Sequence, residues 1–380
     1  MIPLSNTAIA GIGQTEFSKQ SGRSVLRLAA EASIAAIRDA GLRPADIDGM
    51  ITFVQDTNNE FELMRALGIE NVRWFSRTPW GGGGSCATIQ LATAAVASGA
   101  ANAVLIFRAF NERSETRFGQ PMDSYDGPTR DLHFAFGLDT PAKIYSLWYK
   151  RYLEHYGVTS EDLGRYVVMA RDYAATNPAA WFYGRPITLE EHQASRWIAE
   201  PVLRLLDCCQ ESDGGVAMVV TSLERARDLP QPVVRVLGAS QSHMLNGDVL
   251  FDYYRADPGE FPEARQISRD LADQTGLAPA DMDLAMIYEN FSPIVFMQLE
   301  AHGFCKPGEA RDFMKSGAMR IDGSLPVNTN GGLLGEGYIH GMNNITEAVR
   351  QIRGTAANQV KDAETAFVSS GRSAFILGKD

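Results

Sequence analysis

Cysteine is scarce in this chain. Cys86, Cys208, Cys209 and Cys305 are the four in 380 residues, and no two form a CxxC pair. That excludes a disulfide framework and a cysteine zinc site, and it makes a reducing, cytoplasmic setting the expectation. Long apolar runs are missing as well. None reaches the roughly 18 residues of a membrane span, because Ser, Gly or Asn interrupts each. The opening MIPLSNTAIAGIGQ has no basic flank and no proper apolar stretch, so no secretion signal is read there. Positive charge is in deficit: 35 Lys and Arg face 46 Asp and Glu, a net charge of −11. Without a long basic run, nucleic acid is not an expected partner, while a local basic pocket for a phosphate stays allowed. His133, His155, His192, His243 and His302 show no ligand spacing, so no metal is expected.

What is present is ordinary for a soluble globular protein, 45% hydrophobic and 21% charged. Disordered, collagen-like and coiled-coil chains are excluded on that ground. The length exceeds the size at which one core stops growing, so two domains or a duplicated one is the prior. Residues 8–13 read as a buried strand, 24–40 as a helix stopped by Gly41, and 49–54 as a second strand. Pro79-Trp80 and four glycines, 81–84, then lead through Ser85-Cys86 into a small-residue helix that ends at Gly99. The run 103–107 is apolar throughout, as in a strand buried on both faces. Residues 109–205 are richer in aromatic and charged side chains and read as a largely helical excursion, including 141–156 and 160–175. Strands return at 214–220 and 233–238. The second half repeats the order: helix 262–276, strand 284–288, helix 293–302, a glycine-rich turn from Gly331, helix 341–353, and closing strands 366–370 and 373–377. Strand–helix alternation of this kind predicts an α/β fold on a mostly parallel sheet. The glycine run 81–84 is not a dinucleotide fingerprint, since the spacing and the acidic partner are missing.

Four segments together carry a resemblance to the thiolase superfamily, in particular its lipid-transfer branch, related to sterol-carrier-protein-x thiolase. They are Ser98-Gly99-Ala100-Ala101-Asn102-Ala103-Val104-Leu105, Tyr288-Glu289-Asn290-Phe291, Val327-Asn328-Thr329-Asn330-Gly331-Gly332 through Gly337-Tyr338-Ile339-His340-Gly341, and Ser369-Ser370-Gly371. The resemblance spans nearly the whole chain. It implies two similar βαβαβαββ halves in a five-layer αβαβα arrangement. Residues 1–108 with 206–242 would form one half and 243–380 the other, with 109–205 as an inserted loop domain.

The departures from that family set the chemistry. A thiolase needs a Cys thiolate where the first buried helix begins, since a helix N-terminus lowers its pKa. In the family that Cys stands 17 residues before the helix-ending glycine, and counting back from Gly99 reaches Gly82. Cys86 lies one helical turn deeper and reads as a small core residue; a slip of one turn would restore it as nucleophile. Ser369 replaces the second, proton-shuttling Cys. Tyr338 stands where the family keeps the His of its G-H-P motif, and Tyr288 at its Asn/His position. The sites of two lost groups thus hold phenols, which fits an acid–base pair better than thiolysis.

Retro-aldol cleavage of a β-hydroxyacyl-CoA needs such a pair and no nucleophile: a base for the hydroxyl, backbone donors for the enolate oxygen, and an acid for its carbon. Tyr338 precedes a helix N-terminus, whose dipole is expected to lower its pKa from about 10. Together with the run from Arg108 to Ser114 and Arg117-Phe118-Gly119-Gln120, the two phenols resemble the steroid side-chain-cleaving aldolases of this branch. That resemblance implies a 17-hydroxy steroid-20-carboxyl-CoA as substrate, a 17-ketosteroid and propionyl-CoA as products, and no cofactor. It also implies a homodimer bound to a small OB-fold partner belonging to the preceding hydratase. By the same resemblance Tyr288 and Tyr338 are the acid–base pair, with Tyr288 as base and Tyr338 as acid one assignment and the reverse left open. His340 is open between proton carrier, orienting group for Tyr338 and helix cap. Gly82, Gly332 and Gly371 are expected oxyanion or close-approach positions, with turn geometry as the other reading. Glu289 and Glu336 are further candidate bases, unless they are surface carboxylates. Arg108, Arg113, Arg117 and Arg185 are candidates for the CoA phosphates. A thiolase using Cys86, a non-catalytic acyl-CoA carrier and a scaffold subunit remain the competing readings.

Overall fold

In a computed structural model, residues 4–79, 81–120, 133–244, 257 and 259–380 are described. Trp80 and the stretches 121–132 and 245–256, which fall in the glycine-rich lead-in, the expected insert and the start of the expected second half, lie outside them. The strands are β1 (Thr7–Gln14), β2 (Gly49–Phe53), β3 (Trp74–Thr78), β4 (Ala103–Asn111), β5 (Trp197–Ala199), β6 (Leu203–Arg204), β7 (Asp213–Ser222), β8 (Val234–Gln241), β9 (Leu284–Ile287), β10 (Thr365–Ser369) and β11 (Ser373–Lys379). Nine run in one sheet ordered β3-β2-β4-β7-β1-β8-β11-β10-β9, while β5 and β6 make a separate ribbon.

The sheet is mixed, which corrects the mostly parallel expectation. Only β2–β3, β2–β4 and β9–β10 pair in parallel. The other ladders of the large sheet are antiparallel, including β4–β7, whose strands are joined by the long excursion. Antiparallel β4 and β7 are buried on both faces here, so neither their apolar runs nor the strand–helix alternation decides strand direction. The register groups β8 with the strands of the second half of the sequence. β8, expected in the first half, pairs with β11 from Val234 to Gln241 but with β1 only through Ala8 and Arg235.

Alternation along the strands builds the layers. Met50, Leu105 and Val219 face an outer layer with Leu28 and Ile37 of α1 (Val25–Asp39) and Leu63 of α2 (Glu60–Leu67). Their neighbours Ile51, Val104, Ile106 and Met218 face the opposite way, onto Ile89 and Ala92 of α3 (Ser85–Ala97). The helix Met342–Arg353 shares that middle layer through Ile345 and Val349, and Met286, Val368 and Phe375 close it from the second group of strands. Ala285, Ile287 and Phe367 point outward again, to Ile267 and Leu271 of helix Pro262–Thr275 and Phe296 and Leu299 of helix Pro293–Ala301. The result is the five-layer αβαβα order. α3 has no charged residue, and its Ser and Thr are buried, because it is covered by both groups of strands.

The excursion is helical at Pro141–Tyr156 and Ser160–Thr176. Its Tyr149, Tyr152 and Tyr166 lie in the core of the second group of strands, so it packs as part of that half. Among the described residues no helix is long and apolar enough to cross a membrane.

Candidate active site

The middle layer positions the site. α3 is preceded by a 3-10 turn at Gly82–Gly84, and helix Met342–Arg353 by Gly341 at φ 81°. Both helix N-termini, and hence both positive dipole ends, abut Tyr288: a Cβ on Gly82 would lie 2.1 Å from its hydroxyl oxygen, and one on Gly341 2.8 Å from its ring. Tyr288 directly follows β9. Its N–H donates to Ser369 O at 2.8 Å and its carbonyl accepts Gln298 Nε2 at 2.8 Å, which fixes its backbone.

The Tyr288 and Tyr338 hydroxyls are 2.9 Å apart and hydrogen-bonded. They line a cavity of about 470 Å³ together with Gly82 and His340. Phe110, Phe118 and His340 surround the Tyr338 ring with centroids at 6.3, 6.5 and 5.4 Å. Burial pushes both phenols well above the ordinary tyrosine range, and for Tyr338 the neighbouring Tyr288 adds to it. The expected lowering of Tyr338 by the helix dipole is thereby overturned: removal from water outweighs a partial charge at a helix end.

Gly82 is a close-approach position, because the Tyr288 phenol fills the space a side chain there would need. Cys86 lies one turn further in. It is buried, off the cavity, its Sγ 3.7 Å from Val368 O, and burial pushes its thiol up to about 12. A thiol so placed has neither the access nor the thiolate character of a nucleophile. Ser369 also faces away. Its hydroxyl donates to Gln298 Oε1 at 2.8 Å and lies 2.8 Å from His302 Nε2, whose ring burial holds neutral by lowering its pKa to about 3. Gln298 in turn holds the Tyr288 carbonyl, so the lost shuttle position now braces the phenol's backbone.

Gly332 and Gly371 do not line the cavity, which removes their expected oxyanion role. The Gly332 N–H donates to Asn330 Oδ1 at 2.9 Å, and its missing Cβ makes room for the Glu289 carboxyl. The Gly371 N–H donates to Ser369 Oγ at 3.0 Å, with the Phe261 ring against its Cα. Glu289 and Glu336 are fully buried and off the cavity, not on the surface. Glu289 accepts from Leu333 N and Asn328 Nδ2, and Glu336 from Asn330 and Asn343. Burial raises the Glu289 carboxyl well above the usual carboxylate range and that of Glu336 to about 7.

Of the four arginines, Arg113 and Arg117 line the cavity and pair with Glu211. Arg185 is exposed, near the rings of Trp181 and Phe182. Arg108 is buried and bound to Asp56 and His340, which rules out phosphate binding. Lys19, Arg196, Arg372 and Glu112 also line the cavity and were not singled out as site residues from the sequence. Burial pushes Lys19 down to about 8, and it raises the Glu112 carboxyl well above the carboxylate range. Glu112 lies within the run Arg108–Ser114, while no local motif marks Lys19, Arg196 or Arg372, which are brought to the cavity only by the fold. The apolar wall is built by Phe118, Tyr145, Trp148, Phe261, Phe291 and Ile294.

The family model described as Thiolase C-terminal domain-like matches residues 253–375. Over 383 residues the chain is 52% identical to a steroid side-chain-cleaving aldolase of Thermomonospora curvata, covering 98% of each. It is 51% identical to a 17-hydroxy-3-oxo-4-pregnene-20-carboxyl-CoA lyase of Mycobacterium tuberculosis, again with 98% of each covered. A solved structure described as an Ltp2-ChsH2(DUF35) aldolase superposes with a TM-score of 0.95 at 50% identity, over 100% of this chain and 99% of that one.

Proposed function

This chain belongs to the thiolase-like family that includes the steroid side-chain-cleaving aldolases, and from that membership we propose that it cleaves a 17-hydroxy steroid-20-carboxyl-CoA to a 17-ketosteroid and propionyl-CoA. The observation that carries the mechanism is the 2.9 Å hydrogen bond between Tyr288 and Tyr338 beside Gly82. With both phenols held neutral by burial, neither serves as a resting phenolate base. A relay through the pair removes that need. The substrate hydroxyl gives its proton to Tyr288 Oη as Tyr288 gives its own to Tyr338 Oη, and Tyr338 protonates Cα. The O–H electron pair becomes the ketone C=O. The Cα–Cβ pair becomes the enolate and then the new C–H bond. Both phenols end as they began, and the balance closes without a cofactor.

The positive ends of two helices favour the enolate charge. The aromatic wall suits a steroid nucleus, and Lys19, Arg113, Arg117, Arg196 and Arg372 give cationic groups for CoA phosphates. The similar solved aldolase carries a ChsH2(DUF35) component, which supports a small partner protein for this chain, in the place of the expected OB-fold subunit. A homodimer is supported by β3, an edge strand whose Phe75 is 66% exposed. The test is turnover of the steroid acyl-CoA by wild type and Tyr288→Phe with the partner present. The variant is expected to lose about 10²–10⁴-fold. Turnover equal to wild type would overturn the relay.

A further inference from the structure

The buried Arg108–Asp56 pair has no place in the relay, and it points at the one residue whose role stayed open. Arg108 is 2% exposed in its side chain and Asp56 0%, with Nη1 2.9 Å from Oδ2. Asp56 is itself fully engaged. Oδ2 also accepts the Ala109 N–H at 3.2 Å, and Oδ1 accepts the Asn58 N–H and Nδ2, each at 2.8 Å. A buried ion pair seldom stabilises a fold more than an apolar pair would, so positioning is the more informative use. From that anchor Arg108 Nε donates to His340 Nδ1 at 3.2 Å.

A guanidinium has donors only. Nδ1 must therefore offer its lone pair, and the ring proton sits on Nε2. The ring is clamped as well. Phe118 stacks on it at 5.4 Å and 11°, Phe110 and Phe53 flank it at 5.1 and 5.9 Å, and Tyr338 meets it edge-on at 5.4 Å. His340 holds φ 51°, a left-handed conformation uncommon outside glycine, of the kind that collects at functional sites. The free edge adjoins Gly81: a Cβ there would lie 3.1 Å from both Cε1 and Nε2, and 2.8 Å from Gln55 Oε1. Gly81, Gln55 and His340 all line the cavity. No hydrogen bond joins Nε2 to a described residue.

We infer that His340 is a fixed Nε2–H donor to the thioester oxygen of the substrate, and that Arg108, anchored by Asp56, is the positioning residue that sets this tautomer. The inference rests on the thioester-enolate reading above. A neutral imidazole suits the task, because it stabilises charge on oxygen without giving up its proton and leaves Tyr338 to protonate carbon. Burial and the Arg108 charge, the one charged group among the described residues acting on the ring, hold His340 well below its ordinary pKa; Tyr338 is the other described titratable group against it.

The test uses the full chain with its partner and ¹⁵N-labelled histidine. His340→Asn, which tolerates the left-handed backbone, assigns the signals. Wild type is expected to show a protonated Nε2 and a bare Nδ1 throughout pH 6–8, and the Nε2–H signal should shift when a 17-deoxy steroid-20-carboxyl-CoA, which lacks the hydroxyl to be cleaved, is bound. A protonated Nδ1, or a signal indifferent to that thioester, overturns the inference. With the cleavable substrate, His340→Asn should lower kcat by about 10²–10³-fold with KM little changed. Arg108→Lys, which keeps the charge but not the planar Nε–H, should mix the tautomers and lower kcat in step. Variants at either position that keep the wild-type kcat also overturn it. The tautomer is read without turnover, so a failure of the aldolase reading would show separately, as a wild-type chain that cleaves nothing.

Discussion

Tyr288 and Tyr338 act in the relay as one unit, and the 2.9 Å contact between them is the reason. Losses within such a unit are not additive. Tyr338→Phe alone and the double variant with Tyr288→Phe should therefore fall to similar rates of 17-ketosteroid release. A double variant slower than wild type by the product of the two single losses would mean two independent groups. Glu336 gives a test of a different kind. Its folded pKa, about 7, lies above its ordinary value of 4.5. Between these the folded chain binds more protons than the unfolded one, so stability falls as pH rises through the window. The contribution is complete below about pH 4.5 and lost above about 7, and at most it amounts to roughly 3 kcal/mol. Glu336→Gln cannot titrate. Urea unfolding should show wild type gaining on the variant by that order as pH falls from 7.5 to 5, and a constant difference would contradict the assignment. The phenols were legible in the sequence because each stood where a family motif lacks its usual residue. Their ionisation was not, since it depends on burial, which no local pattern reports.

At the scale of elements, the start of α3 is the tightest constraint. A methyl on Gly82 would sit 2.1 Å from the Tyr288 phenol, whereas one on Gly83 meets nothing nearer than 3.8 Å. Gly82→Ala should lower the melting midpoint through overpacking of about 1–3 kcal/mol, and Gly83→Ala should not. Equal midpoints in differential scanning calorimetry would contradict the packing of Tyr288 over the helix end. The helices were readable from periodicity and caps: α1 begins after Ser24, which accepts from Arg27 N, and ends before Gly41 at φ 68°. Strand existence was readable for the same reason. Strand direction and the partner of β8 were not, because pairing is a long-range choice that an apolar run leaves undecided. Gly332 and Gly371 show the same limit: each was recognised as a required glycine, but the neighbour requiring it, Glu289 or the Phe261 ring, came from elsewhere in the chain.

The whole molecule places its chemistry at the middle layer, with the Tyr288 phenol set over the start of α3 and the Tyr338 hydroxyl bonded to it. β3 leaves that assembly with an open edge carrying an exposed Phe75. Phe75→Glu should convert a dimer to a monomer in sedimentation velocity, and a wild-type chain that already sediments as a monomer would remove β3 as a self-association edge. The central claim is carbon–carbon cleavage without a covalent acyl-enzyme. Its most direct test is mass spectrometry of the CoA pool after incubating the chain and its partner with the 17-hydroxy steroid acyl-CoA and no free CoA. Propionyl-CoA appearing in equal amount with a 17-ketosteroid is the predicted result. An unchanged pool from the folded complex would contradict it.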